Sequence, residues 1–199
     1  MSYIKKIKLS NVEEFLRIKL KRNFISIGAD TASYHTAFAI IRTTDSYLIL
    51  ESLEKIEVPK LSKKDKMEKV LTNIDLYTEQ LDDLKNKWSQ KYKFDEAQIE
   101  DCYYRFSIQT TKLLAYNGIL TYDRLKRISK FATLIMPGSA RARIKFKKSG
   151  KKVSRNDLKK QIINYINIAL DIQLVFEEND QVDAIVLALS GLAKEGVRK

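Results

Sequence analysis

Four acidic residues stand where an apolar run begins or ends. Asp30 follows Ile25-Ser26-Ile27-Gly28-Ala29, Glu100 follows Ala97-Gln98-Ile99, and Asp180 and Asp183 precede the apolar run 184–189. Read as strands, the first two runs deliver Asp30 and Glu100 to strand ends, with the second strand expected beside the first. Spaced i and i+3, Asp180 and Asp183 share one face in the opening turn of a helix. Carboxylates gathered at one sheet edge repel, and some of them keep a proton. A divalent cation resolves that repulsion: Mg²⁺ takes oxygen ligands and leaves positions for phosphate oxygens and water. Two ions about 4 Å apart activate an attacking water and stabilise the leaving oxygen of a phosphodiester. Such chemistry needs no histidine.

That suits the rest of the chain. Among 199 residues there is one cysteine, Cys102, and one histidine, His35. An internal disulfide, a cysteine zinc site, a serine triad and a zinc hydrolase are thereby excluded. Cys102 reads as a small buried apolar residue, and His35, at the outer start of a strand, as structural. Asp101 competes with Glu100, but strand alternation turns it away. Asp180 also reads as a helix N-cap, which makes Asp183 the stronger of that pair.

The net charge of +12 makes nucleic acid the leading partner, because a compact domain so charged repels itself unless it meets a polyanion. The segment 141–155 concentrates that charge: Arg141, Arg143, Lys145, Lys147, Lys148, Lys151, Lys152 and Arg155, with no acid among them and Gly150 for mobility. Such a loop contacts phosphates and makes binding salt-dependent.

The elements that must position these residues follow from periodicity. A short basic helix is expected over 11–22. Strands are expected over 24–29, 36–41 and 47–58, joined by short connections as an antiparallel meander. Ser62-x-x-Asp65 is a capping-box-like start for a long helix. Its residues Met67, Val70, Ile74, Tyr77, Leu81, Leu84 and Trp88 form a seam that packs across a sheet. A short strand over 97–100 follows, then a helix over about 107–130 with Leu113, Leu114, Ile119, Leu125 and Ile128 inside. A fifth strand over 131–136 is closed by Pro137-Gly138, and helices over about 154–170 and 181–193 finish the chain. The expected architecture is α/β: a mixed five-stranded sheet, part antiparallel meander and part parallel, with helices on both faces.

Three motifs in order carry a resemblance. Ile27-Gly28-Ala29-Asp30-Thr31-Ala32-Ser33-Tyr34-His35-Thr36-Ala37-Phe38-Ala39-Ile40-Ile41 resembles the first hairpin of RuvC-type Holliday-junction resolvases, which have a ribonuclease-H-like fold. Ile99-Glu100-Asp101-Cys102-Tyr103 and Asp180-Gln181-Val182-Asp183-Ala184 resemble that family's second and last motifs. The carboxylates stand 70 and then 80 residues apart. The resemblance spans roughly residues 24–195 and implies an Mg²⁺-dependent homodimeric endonuclease that nicks a four-way DNA junction symmetrically, with Mn²⁺ as a substitute ion. It makes Asp30, Glu100, Asp180 and Asp183 the catalytic metal ligands of a two-ion site and Tyr103 a side chain that stacks on junction bases. It puts the helix after Glu100 at the dimer interface and the 141–155 segment on DNA. Three features depart from the family: Thr31-Ala32 in place of Pro-Gly, an additional basic segment over 1–23 before a nuclease domain over 24–199, and Arg155 in place of a lysine.

No apolar run approaches the roughly 20 residues that span a bilayer, and residues 1–8 lack the apolar core of a signal peptide. The expectation is a cytoplasmic protein on DNA, with no membrane and no nucleotide cofactor; its source is not legible in the sequence, a viral or mobile-element one being compatible with it. The alternatives are a RuvC-like nuclease on flap or single-stranded DNA, and a non-catalytic junction-binding protein. An actin-like kinase fragment shares the first hairpin but needs a second glycine-rich phosphate loop, which this sequence lacks.

Overall fold

The computed structural model describes residues 5–61, 67–101, 108–150 and 152–194, with the backbone alone for 108–111. One mixed sheet organises them, in the order β1-β4-β3-β2-β5-β6. Strands β2 (Phe24–Thr31), β3 (His35–Thr43) and β4 (Tyr47–Glu57) form the antiparallel meander. On the other side of β2 lie β5 (Phe94–Glu100) and β6 (Ser129–Ile135), both parallel to it.

The sheet has six strands where five are expected. The sixth, β1 (Lys5–Lys8), pairs antiparallel with β4 at the edge. It comes from the basic N-terminal segment, where Ile-Lys alternation is itself a period-2 signal. Helix α1 (Leu9–Leu16) follows at once, earlier and shorter than expected, because Arg17 turns left-handed (φ 54°) and ends it. Leu9, Val12, Leu16 and Leu20 are buried in the same core as β3 and β4.

Helix α2 (Met67–Lys91) and helix α3 (Ile108–Lys126) cover one face of the sheet. Val70, Tyr77, Leu81 and Trp88 are buried, and Trp88 meets Phe38 of β3 edge-on, with ring centres 5.1 Å apart. The seam therefore packs on the sheet. Met67, at its start, is exposed, and so is Ile119 of α3, which was expected inside.

The other face carries α1, α5 (Arg155–Leu170) and α6 (Asn179–Leu192). Helix α6 lies directly on β2. A Cβ on Gly28 would stand 2.1 Å from the Ala184 carbonyl oxygen and 2.4 Å from the Ala188 nitrogen. Only a residue without a side chain lets the two backbones meet. Pro137 opens a short helix, α4 (Pro137–Arg143), where a loop was expected; proline suits the first helical position, whose N–H needs no partner. No helix among the described residues is long and apolar enough to cross a membrane.

Candidate active site

Strand alternation decides which way the first two carboxylates face. Ile27, Ala29, Ala97 and Ile99 belong to the core under α2 and α3. Residues one step on, Asp30 and Glu100, therefore face the α6 side. The register pairs Ala29 with Ile99 across parallel strands, so Asp30 and Glu100 leave the sheet side by side. Thr31 reinforces this, its hydroxyl donating to the Glu100 carbonyl oxygen at 3.4 Å. Contact between α6 and Gly28 brings the first turn of that helix over the same edge, since Asp183 immediately precedes Ala184.

The electrostatics show that the four side chains interact. Asp30, 9% exposed, is held well above the usual carboxylate range, by burial first, then by its hydrogen bond with Glu100 and the charges of Glu100, Asp183 and Asp180. Glu100 is also raised by burial, and the charges of Asp183 and Asp180 add to this against the pull of Asp30 and Arg141. Burial raises Asp183 although Arg141 draws it down. Asp30 and Glu100 thus form a coupled pair of buried carboxyls, an arrangement in which both cannot readily ionise together. Asp180 behaves differently: burial alone would raise it, but the hydrogen bond and charge of His35, with Lys159 and Lys55, lower it.

Two basic side chains close the group. Arg141, on α4, donates from Nη2 to Asp183 Oδ1 at 3.1 Å. Its Nε is buried and has no partner among the described residues. His35 opens β3 across the turn from Asp30, and its Nε2 lies 3.0 Å from Asp180 Oδ2. A small cleft runs between Glu100, Arg141 and Asp183, floored by Pro137, Ala140 and Leu187.

Sequence reasoning missed the place of His35 in this group. The signal was available, because an antiparallel hairpin that pairs Thr31 with Thr36 puts residue 35 at the same end as Asp30. Arg141 was read as one cation of a mobile basic loop. The structure gives it a helix and a carboxylate partner, and places Arg143 on the same helix. Lys145, Lys147, Lys148, Lys152 and Arg155 are exposed. The connection that bears them is anchored: Ile144 is buried, Phe146 stacks edge-on with Tyr165, and the Ser149 backbone exchanges two hydrogen bonds with the Gln161 side chain. Asp101 donates its backbone N–H to the Ile135 carbonyl oxygen and is not among the groups that shift the four carboxylates. Tyr103 and Lys151 lie outside the described residues, as do Cys102, Ser62 and Asp65.

Among the described residues, no three His, Cys, Asp or Glu side chains form a ready-made metal cage. The donor chemistry nevertheless fits a hard divalent cation. All four candidates offer oxygen, and the burial and neighbouring charge that disfavour the ionised forms of Asp30 and Glu100 are what a hard cation would offset.

No protein-family model matches the chain, and no curated protein sequence matches it. Solved structures do. A RuvC of T. thermophilus in complex with a Holliday junction substrate superposes with a TM-score of 0.60 at 9% identity, over 86% of this chain and 99% of that one. A second Thermus thermophilus RuvC structure gives 0.59 at 9% identity over the same shares. The yeast mitochondrial Holliday junction resolvase Ydc2 gives 0.53 at 13% identity, over 91% of this chain and 82% of that one. The chain therefore has the ribonuclease-H-like fold of the RuvC-type Holliday-junction resolvases.

Proposed function

We propose that this protein is a structure-selective endonuclease that binds four-way DNA junctions and resolves them by paired, divalent-metal-dependent phosphodiester hydrolysis, acting as a homodimer. The observation that carries the reading is the cluster itself. Asp30, Glu100 and Asp183 come from three elements that meet at one sheet end and are largely buried; burial above all, with charge from neighbouring carboxylates, raises all three pKa values. A fold does not gather buried like charges for stability, whereas perturbed carboxylates in a cleft mark a functional site. The substrate class is supported by the likeness to a RuvC in complex with a Holliday junction and to a yeast Holliday junction resolvase.

Asp30, Glu100, Asp180 and Asp183 would hold Mg²⁺ or Mn²⁺, one or two ions, which when bound supplies Lewis-acid stabilisation and an activated water. The remaining work falls to the protein. His35 fixes the orientation of the Asp180 carboxylate. Arg141 lines the cleft beside Asp183, and its guanidinium would pair well with a phosphate oxygen brought there. Arg143, Lys145, Lys147, Lys148, Lys152 and Arg155 lie along the chain from α4 to α5 and would neutralise backbone phosphates. About six such contacts weaken binding roughly 10³-fold between 50 and 200 mM salt.

The test is cleavage of a labelled four-way junction, a matched duplex and a flap, with Mg²⁺ or EDTA, beside Asp30→Asn. Paired nicks on the junction alone, lost in EDTA and in the variant, are the expected result. Junction binding without cutting in any metal would refute the enzyme. Preferential cutting of flap or single strand would retain the metal site and change the substrate.

A further inference from the structure

The turn that follows Asp30 is held from outside the carboxylate group. Asn117 of α3 is only 1% exposed. Its side-chain amide donates to two successive backbone carbonyl oxygens of that turn, Ala32 at 2.9 Å and Ser33 at 3.2 Å. Two carbonyl acceptors fix the amide's orientation, because only its nitrogen carries hydrogens. The turn is closed on itself by the Ala32 N–H bond to the His35 carbonyl oxygen at 2.9 Å. One helical turn further along the same face of α3, the Thr121 hydroxyl meets the Tyr77 hydroxyl at 2.7 Å, which meets the Thr36 hydroxyl of β3 at 2.8 Å. From positions i and i+4 of α3, Asn117 therefore holds the turn of the β2–β3 hairpin directly, and Thr121 is linked to the second limb through Tyr77 of α2. That hairpin delivers Asp30 from one limb and His35, the partner of Asp180, from the other.

We infer that Asn117 is a positioning residue: by fixing the carbonyl groups of residues 32 and 33, it sets the direction in which Asp30 and His35 enter the candidate metal site. The inference rests on the nuclease reading above. Its structural counterpart is Asn73 of α2, a 4%-exposed amide that donates to the Pro59 carbonyl oxygen at 2.6 Å. Asn73 makes the same type of bond from a neighbouring helix, but to a connection that carries no candidate site residue. Comparing the two separates positioning from ordinary buried hydrogen bonding, since misplacing a reactive group by about 1 Å costs up to about 10²-fold in rate.

The experiment measures hydrogen exchange of the amides of residues 32–36 in metal-free protein, then kcat and KM on a four-way junction with Mg²⁺, for wild type, Asn117→Ala, Asn117→Asp and Asn73→Ala. Asn117→Asp keeps the size of the side chain and sets an acceptor against the two carbonyl oxygens, so it removes the clamp without opening the cavity that alanine leaves. In both Asn117 variants exchange should rise about tenfold and kcat should fall by about tenfold or more at unchanged KM. Asn73→Ala should leave all three values as in wild type. Unchanged exchange in both Asn117 variants overturns the clamp. Faster exchange with unchanged kcat, or an equal kcat loss in Asn73→Ala, overturns the positioning role. Wild-type protein that cuts no DNA refutes the nuclease reading and with it any catalytic role for Asn117, a failure distinct from the exchange result because exchange needs neither metal nor substrate.

Discussion

Two buried carboxylate sites in this molecule are treated in opposite ways. Glu13 of α1 is 6% exposed, and everything it needs is built around it. Arg22 grips both of its oxygens at 2.7 and 2.9 Å, and the Leu20 N–H donates at 2.8 Å. The Arg22 hydrogen bond outweighs burial and lowers the Glu13 pKa to about 2. Asp30 and Glu100 are also buried, yet they face each other, and burial with neighbouring charge raises both. A charge that serves the fold is paired; a charge cluster left unpaired is available to a ligand.

The contrast breaks most visibly at Asp30. In Asp30→Asn, junction cleavage should fall by about 10³-fold or more, because on the proposed function the variant would lack a ligand for ions that would supply several kcal/mol of transition-state stabilisation. The metal-free variant should melt no lower than wild type, since a neutral amide of the same size replaces a carboxyl whose ionised form is disfavoured by burial and neighbouring charge. A melting temperature well below wild type would make Asp30 a structural residue.

Next in size is Gly28→Ala. The added carbon would meet α6 backbone at 2.1 Å, and overpacking of that severity should cost about 3 kcal/mol, read by denaturant unfolding. A neutral result would show that α6 does not rest on β2 as described.

Glu13→Gln should cost about 2 kcal/mol, because it strands a partly buried guanidinium. Glu13 also predicts a pH dependence. Its pKa is depressed in the fold from 4.5 to about 2. Its contribution to stability is therefore complete above pH 4.5 and is lost as pH falls from there toward 2. In Glu13→Gln that part of the acid limb should flatten, and an unchanged limb would contradict the pairing. The smallest effect is expected at the basic connection. Lys147→Ala with Lys148→Ala should weaken junction binding about tenfold and reduce the salt slope by about two, without changing stability.

Much of the site was legible because it depends on periodicity. Asp30 and Glu100 each end an apolar strand run, and Asp183 adjoins the apolar face of a helix, so alternation and the i, i+3 spacing bring them to one edge. The resemblance to the resolvases rests on those same residues. What was not legible falls into two physical kinds. β1 has only four residues, so its Ile-Lys alternation read as a basic tail and not as an edge strand, and Pro137-Gly138 read as a strand stop when proline was opening the seven-residue α4. The partners of the carboxylates, Arg141 and His35, are set by how loops and short elements return to the sheet. Ile119 was assigned to the core from its apolar type alone, and the face it occupies on α3 is solvent-exposed.

The central claim, that Asp30, Glu100, Asp180 and Asp183 remain without full internal neutralisation in order to hold a divalent cation, is tested most directly by calorimetric titration of Mn²⁺ into metal-free protein, wild type against the Asp30→Asn, Asp183→Asn double variant. Saturable binding by wild type that is lost in the double variant is the predicted result. Wild type that binds no Mn²⁺, or a double variant that binds it equally well, would contradict the account.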